Sequence, residues 1–225
     1  MYKRQIQGYA ELLLGDDTIK GIERKRISNI YKAGHSIARL NHGLMDIARP
    51  QEIINTEFMP EAPLEKALEF MRDTGVIKNF KLVKQFQSDA PCVSGDLMQL
   101  NQVFLNLIMN AAHAMEDVPE KILTVATCYT AGSDHVLISV QDSGCGIPAA
   151  HIGKIFESYF TTRASQGGTG LGLAVVKHII EKHWGTIWIE SEVGTGTKFT
   201  ISLPQNNAAD QNRNQQFNNR AVQNI

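Results

Sequence analysis

A polar stripe runs through an otherwise apolar stretch in the middle of the chain. Asn106, Asn110 and His113 are spaced i, i+4 and i+7, which puts all three on one face of a helix. Asparagine is a mediocre helix former, so two asparagines inside an apolar helix need a reason. One reason is a buried hydrogen-bond network or an exposed edge. The other is a magnesium site, because a neutral amide oxygen suits Mg²⁺ when waters and phosphate oxygens supply its other ligands.

A carboxylate followed by two spaced glycines is the second candidate, in the sequence V-Q-D-S-G-C-G-I-P of residues 140–148. A β-type run ends at Asp142, so its carboxylate is expected at the end of a strand. Gly144 and Gly146 would let the backbone approach a flat ligand closely. The carboxylate would accept a hydrogen bond from an exocyclic amine such as adenine N6. The alternative is an ordinary turn in which Asp142 caps a loop.

The third candidate is a glycine-rich segment, G-G-T-G-L-G-L, in which Gly168, Gly170 and Gly172 directly precede a helical pattern. Free backbone N–H groups and the positive end of a helix dipole are the ingredients of a phosphate site. The spacing matches neither a P-loop nor the dinucleotide fingerprint. A lid that a ligand orders is the complementary interpretation. A plain linker fits poorly, because Leu171 and Leu173 interleave the glycines.

Two weaker signals accompany these. In I-F-E-S-Y-F-T-T-R, residues 155–163, the aromatic residues suit a core, while Arg163 is placed to reach phosphates unless it is simply solvated. In E-V-G-T-G-T, residues 192–197, the glycines predict a tight turn between two strands. As a hairpin, that turn needs no function.

Composition excludes several classes of protein. The chain has 225 residues, 43% of them hydrophobic, and a formal net charge of −1, so wholesale disorder and a general affinity for nucleic acid are not expected. No apolar run is long enough to span a membrane, and the N-terminus does not resemble a signal peptide. Three widely separated cysteines fit a reducing cytosol. We therefore expect a soluble cytoplasmic protein with no membrane segment in this chain.

The elements that would position these residues can be read from periodicity. Helices are predicted at 64–71, at 97–115 with Asp96 as N-cap, and at 171–183. Strands are predicted at 80–86, 122–127, 136–140, 186–190 and 198–203. The mixture predicts an α+β fold, a two-layer α/β sandwich with one sheet face covered by helices.

Two flanking zones differ from this middle. Residues 1–50 favour a helical hairpin, with a heptad seam over 30–47 that ends at Pro50. Its first helix is much shorter than its second, so we expect it to be truncated at its start. Residues 205–225 contain 12 Asn or Gln and predict a disordered tail. The predicted organisation is thus a hairpin over 1–50, a catalytic domain over 51–204 and the tail.

The order of these motifs resembles the ATP-binding domain of bacterial sensor histidine kinases. The Asn helix, D-x-G-x-G, F-E-x-x-F, G-x-G-L-G-L and G-T-G-T follow one another within about a hundred residues. This is the Bergerat-type (GHKL) fold shared with gyrase, MutL and the ninety-kilodalton heat-shock chaperone. G-Y-A-E-L-L-L and D-I-A-R-P are similar to the latter part of the kinase dimerisation hairpin, a segment of a dimeric four-helix bundle.

The resemblance implies a role for each matching residue. Asn110 would bind Mg²⁺, with Asn106 in the same site and His113 near phosphate, and Asp142 would read the adenine amine. The glycine segment would close on the triphosphate, and Thr197 would lie near an adenine-bound water. The ATP-binding residues implied in all are Asn106, Asn110, His113, Asp142, Gly144, Gly146, Ile147, Phe156, Arg163, Gly168, Thr169, Gly170, Leu171, Gly172 and Thr197.

The family's acceptor histidine is the one motif without a match. It belongs to an H-E-x-x-N-P-like box upstream of G-Y-A-E-L, and none of the seven histidines has that context. The resemblance implies a two-component histidine kinase that transfers the ATP γ-phosphoryl to a histidine, here in a fragment unable to autophosphorylate alone. Implied partners are a second copy, joined through the hairpin, and a response-regulator receiver domain.

Three other functions remain open from the sequence. One is a non-catalytic ATP-binding dimerisation module or pseudokinase. The second is a gyrase- or MutL-type ATPase, which would carry a glutamate base in the helix motif, where this chain has asparagines. The third is a serine kinase of the anti-sigma type, which shares the ATP site but has no need of a long heptad hairpin.

Overall fold

The computed structural model describes residues 13, 21–23, 27, 56–163 and 168–205, and the five described residues before residue 56 are helical. The predicted hairpin over 1–50 otherwise lies outside the described residues, as does the predicted tail after Gln205. The chain divides into two compact units. One contains Ser158–Gly172, and the other contains Glu52–Glu157 and the chain from Leu173 onward. Each unit is described by itself.

The described elements follow one another along the chain. They are β1 (Thr56–Phe58), α1 (Ala62–Asp73), β2 (Lys81–Gln85), β3 (Val93–Gly95), α2 (Leu97–Ala114), β4 (Ile122–Tyr129), β5 (His135–Asp142), α3 (Ala149–Ile152), α4 (Gly172–Lys182), β6 (Thr186–Glu192) and β7 (Gly196–Pro204). Every helix and strand predicted from periodicity over 64–203 is present. The short β1, β3 and α3 were not predicted, because three or four residues are too few to show a period.

The main sheet has five strands in the order β2-β4-β5-β7-β6. β2 runs parallel to β4, and the other neighbours are antiparallel. A separate two-stranded antiparallel sheet joins β1 and β3.

Alternation along the strands builds the core. Val136, Ile138 and Val140 of β5 are buried, and they pair with Leu203, Ile201 and Phe199 of β7, which are also buried. α2 packs against α1 and against β5 and β7. The buried residues of α2 are Leu100, Val103, Phe104, Leu107, Ile108 and Ala111. The mixed sheet with packed helices confirms the predicted α+β fold.

The start of α2 is fixed by two side chains. Asp96 is its N-cap, as predicted, and its Oδ1 accepts from the backbone N–H groups of Met98 (2.9 Å) and Gln99 (3.1 Å). His183, just after α4, is buried and accepts from the Asp96 N–H through Nε2 at 2.9 Å. Its Nδ1 lies 2.8 Å from the Ile179 carbonyl oxygen, so the ring is the neutral tautomer protonated at Nδ1. This contact ties the end of α4 to the start of α2.

None of the described helices is long and apolar enough to cross a membrane.

Candidate functional site

The carboxylate of Asp142 points into the core because of where it falls in β5. Buried residues alternate along this strand through Val136, Ile138 and Val140, and Asp142 is the next in the series. Only 6% of Asp142 is exposed. The strand's period therefore carries a charged group to the face that the hydrophobic residues occupy.

Strand register places Asp142 in a row that crosses four strands. Its neighbour on β4 is Leu123 and its neighbour on β7 is Thr197. Thr197 in turn pairs with Ser191 of β6. Paired residues of antiparallel strands share one face of the sheet, so Leu123, Asp142, Thr197 and Ser191 form one line of side chains, called here the site row. Thr197, 4% exposed, is thus beside Asp142.

Burial dominates the electrostatics of Asp142. It raises the pKa of the carboxyl from its ordinary 3.8 to about 6, although hydrogen bonds from the backbone N–H groups of Gly144 and Thr197 act in the opposite direction. The Gly144 N–H lies 2.8 Å from Oδ1. A buried carboxylate with so little solvation is a strong acceptor for a ligand that brings a hydrogen-bond donor.

The loop after Asp142 is held between two other parts of the chain. The Cys145 N–H donates to the Ala114 carbonyl at the end of α2 (3.1 Å), and the Cys145 carbonyl accepts from the Gly194 N–H (2.9 Å). Both flanking glycines are required by this packing. A Cβ on Gly144 would lie 2.7 Å from the Ala114 carbonyl oxygen, and a Cβ on Gly146, at φ +70°, would collide with the Glu192 backbone.

This result changes the physical reason for the D-x-G-x-G motif. The sequence suggested that Gly144 and Gly146 admit a flat ligand, whereas the structure shows that they admit α2 and the β6–β7 hairpin. Gly196, at φ +128°, belongs to the same arrangement, since a Cβ there would collide with the Asp142 carbonyl oxygen. The glycines of two separate motifs therefore fix the backbone on either side of Asp142.

A hydroxyl network continues from the site row into this loop. Ser191 Oγ accepts from the Ile147 N–H at 2.8 Å, lies 3.0 Å from the Gly196 carbonyl oxygen and lies 2.9 Å from Thr197 Oγ1. Ser191 is not among the site residues predicted from the sequence. The available signal was a polar residue continuing the inward series of Ile187 and Ile189 on β6.

The predicted polar stripe is present on α2. Asn106, Asn110 and His113 are half-buried, in contrast to the fully buried apolar side of the helix. Because Ala114 bonds to Cys145, the last turn of α2, with His113, adjoins the loop that follows Asp142. Within the described residues there is no cluster of three or more His, Cys, Asp or Glu that would hold a metal. The donors that fit Mg²⁺ here are the asparagine amide oxygens, together with ligand phosphates and water.

Phe156 has a packing role. Its ring meets that of Phe199 edge to face, with centroids 6.5 Å apart and an interplanar angle of 80°. Phe199 pairs with Val140, two residues before Asp142 on β5. Phe156 therefore packs against β7 close to Asp142 and Thr197 of the site row.

The glycine-rich segment belongs to the other compact unit and has its own internal bonds. The Tyr159 N–H donates to the Gly170 carbonyl (2.9 Å), and the Gly168 N–H donates to the Arg163 carbonyl (3.0 Å). Gly170 has φ +66°, and a Cβ there would collide with the Tyr159 backbone. Thr169 Oγ1 lies 3.5 Å from the Leu171 N–H, and Gly172 begins α4. These backbone hydrogen bonds close the segment on itself.

The pKa of Asp142 predicts a pH-dependent gain in stability for Asp142→Asn. The folded-state pKa is the higher one, so this group's contribution is fully present below pH 3.8 and is lost as pH rises through about 6. Relative to wild type, the variant should therefore gain about 2 kcal/mol between pH 4 and pH 7.5, since a small part of the effect is already lost at pH 4. Urea unfolding at both pH values measures this gain. Asp89→Asn, at an exposed position, is the control. If the stability difference between Asp142→Asn and wild type were the same at both pH values, burial of the carboxyl would not be raising its pKa.

Known proteins that resemble this chain identify its family. The family model described as histidine kinase-, DNA gyrase B-, and HSP90-like ATPase matches residues 95–207, half of the chain. Among curated proteins, the chain is 32% identical over 206 residues to the signal transduction histidine-protein kinase AtoS of Escherichia coli (strain K12), covering 92% of this chain and 33% of that protein. The chain spans about a third or less of the length of the first curated relatives it matches.

Solved structures show the same fold. Full-length ShkA in complex with AMPPNP matches with a TM-score of 0.69 at 23% identity, covering 90% of this chain and 42% of that chain. Histidine kinase ThkA in complex with the response regulator protein TrrA matches with a TM-score of 0.63 at 24% identity, covering 90% and 57%. The site row and its glycines therefore lie in a fold that these two proteins share. The chain belongs to the family of histidine kinase-, DNA gyrase B- and HSP90-like ATPases, with the ATP-binding domain of a sensor histidine kinase.

Proposed function

We propose that this chain binds Mg-ATP and transfers the γ-phosphoryl group to a histidine. The observation that carries the proposal is the buried carboxylate of Asp142 in the site row. An ionisable group placed among hydrophobic residues weakens the fold at neutral pH, so a ligand that satisfies it explains its presence.

Adenine is the base that suits this site. Its N6 amine donates hydrogen bonds, and Asp142 accepts them when ionised. Thr197 is beside the carboxylate in the same row, and Gly144 and Gly146 fix the backbone that follows it. The AMPPNP complex of ShkA, a protein with this fold, supports an adenine nucleotide as the ligand.

The phosphates would extend from the base toward the polar stripe of α2. Asn110 would hold Mg²⁺ through its amide oxygen, with Asn106 lining the same site and His113 near phosphate. A magnesium ion held by these residues would supply positive charge to offset that of the triphosphate. Arg163 and the glycine-rich segment, with Gly168, Gly170 and Gly172, would close over the triphosphate and exclude water from the reaction.

The phosphoryl acceptor and the partners follow from the family. None of the seven histidines lies in an acceptor box, so we propose a histidine on a dimerisation hairpin as acceptor and the 1–50 segment as the site of homodimer contact. A response-regulator receiver domain would then take the phosphoryl group, which the complex of ThkA with its response regulator supports. The free thiols among the described residues agree with a cytoplasmic location.

Asp142→Asn should weaken Mg-ATP binding at least tenfold at pH 8, because a buried charged hydrogen bond contributes about 1.5–3 kcal/mol. The ratio of variant to wild-type dissociation constants should also shrink below pH 6, where the wild-type carboxyl of the free chain takes up a proton. Calorimetric titration from pH 5 to pH 8 measures both effects. Using the ratio cancels protonation of the phosphates, which both proteins experience. An unchanged affinity at pH 8 would refute the adenine assignment.

Phosphoryl transfer can be tested with a separately produced hairpin that carries an acceptor histidine box. With γ-³²P ATP and Mg²⁺, the chain should label the hairpin on histidine, while the chain alone should stay unlabelled. Asn110→Ala should reduce the labelling rate by at least about tenfold through loss of a metal ligand. The matched control is Asn101→Ala, on the same helix but off the polar stripe. Nucleotide binding without any transfer would instead favour a non-catalytic module.

A further inference from the structure

Ser191 has more hydrogen-bond partners than a hairpin serine needs. Its hydroxyl contacts the Ile147 N–H, the Gly196 carbonyl oxygen and Thr197 Oγ1, all within 3.0 Å. These partners belong to the loop after Asp142, to the β6–β7 turn and to the site row. One side chain therefore joins the loop after Asp142 to the two strands of the β6–β7 hairpin.

Counting protons determines which group donates in each contact. A serine hydroxyl has one proton and two lone pairs. The Ile147 N–H can only donate, so it uses one lone pair, and the Gly196 carbonyl can only accept, so it takes the proton. The second lone pair of Ser191 then receives the proton of Thr197, 2.9 Å away. This is the arrangement in which all three contacts are hydrogen bonds at the same time.

This arrangement fixes the direction in which the Thr197 hydroxyl donates its proton. With its proton committed to Ser191, the Thr197 hydroxyl has only lone pairs left to offer the ligand. Thr197 is 4% exposed and Asp142 is 6% exposed, so bulk water cannot compensate either group for a mismatched partner. The two neighbours in the site row therefore both present acceptors.

We propose that Ser191 is a positioning residue that sets base specificity, by holding the Thr197 hydroxyl as an acceptor so that the site takes a 6-amino purine and rejects a 6-oxo purine. This inference rests on the proposed binding of adenine against Asp142. A 6-amino group brings donors to the two acceptors. A 6-oxo group brings lone pairs instead, and two buried acceptors facing an acceptor are unfavourable.

The experiment compares dissociation constants for Mg-ATP and Mg-ITP in the full chain. Ser191→Ala frees the Thr197 hydroxyl to turn and donate, so the preference for ATP over ITP should fall about five- to tenfold, the worth of one neutral hydrogen bond. Ser191→Thr keeps a hydroxyl and should keep the preference. Because both constants come from the same folded protein, their ratio does not depend on how much of a variant is folded.

Two further variants isolate the route through Thr197. Thr197→Val removes the hydroxyl that Ser191 is proposed to orient, so adding Ser191→Ala in that background should change the preference by less than about twofold. Ser139→Ala is the matched control. Ser139 lies between the buried residues Ile138 and Val140, on the other face of β5, and is outside the site row. It should leave the preference unchanged.

The possible outcomes separate this inference from the proposed function. If wild type binds ATP and Ser191→Ala retains its full preference over ITP, the positioning role is wrong while the nucleotide site stands. Additive effects of the two substitutions would likewise refute the route through Thr197. If wild type binds neither nucleotide, the proposed function fails and the inference fails with it.

Discussion

Burial of one carboxylate is the constraint on which the rest of the site depends. Asp142 continues the inward series of β5, so a charge is placed where the strand's period would otherwise place a hydrophobic residue. Burial raises its pKa to about 6, so at neutral pH the chain keeps an ionised group at a cost in stability. The fold thus holds a poorly solvated acceptor in a fixed position, which is the preorganisation that ligand recognition needs.

The glycines around this carboxylate allow close contacts between segments of the protein's own backbone. Gly146 admits the backbone of Glu192, and Gly196 admits the backbone of Asp142. These close approaches bring the loop after β5 and the β6–β7 hairpin together, and Ser191 then bonds to both. The spacing within each glycine motif therefore reflects backbone packing around Asp142.

Sequence predicted the long elements well and the reasons for some residues less well. α2, β5 and β7 each have a sustained period, so their faces and the placement of Asp142 could be foreseen. Thr197 was predicted in the turn over 192–197, whereas it lies in β7. β1, β3 and α3 are too short to have one. Ser191 was not predicted as a site residue, because its role depends on the strand register that places it opposite Thr197. A single polar residue in an alternating strand does not reveal that register. The close approach of Gly146 to the Glu192 backbone joins residues distant in sequence, and local sequence patterns carry no information about such contacts.

The most direct test of this account is the pKa of Asp142 itself, followed by carboxyl ¹³C NMR in the free chain and with saturating Mg-ATP. The account predicts a pKa near 6 in the free chain, and a markedly lower pKa once the adenine amine donates to the carboxylate. A pKa near 3.8 in the free chain, unmoved by nucleotide, would show that the carboxylate is neither desolvated by the fold nor used by the ligand, and would contradict the account.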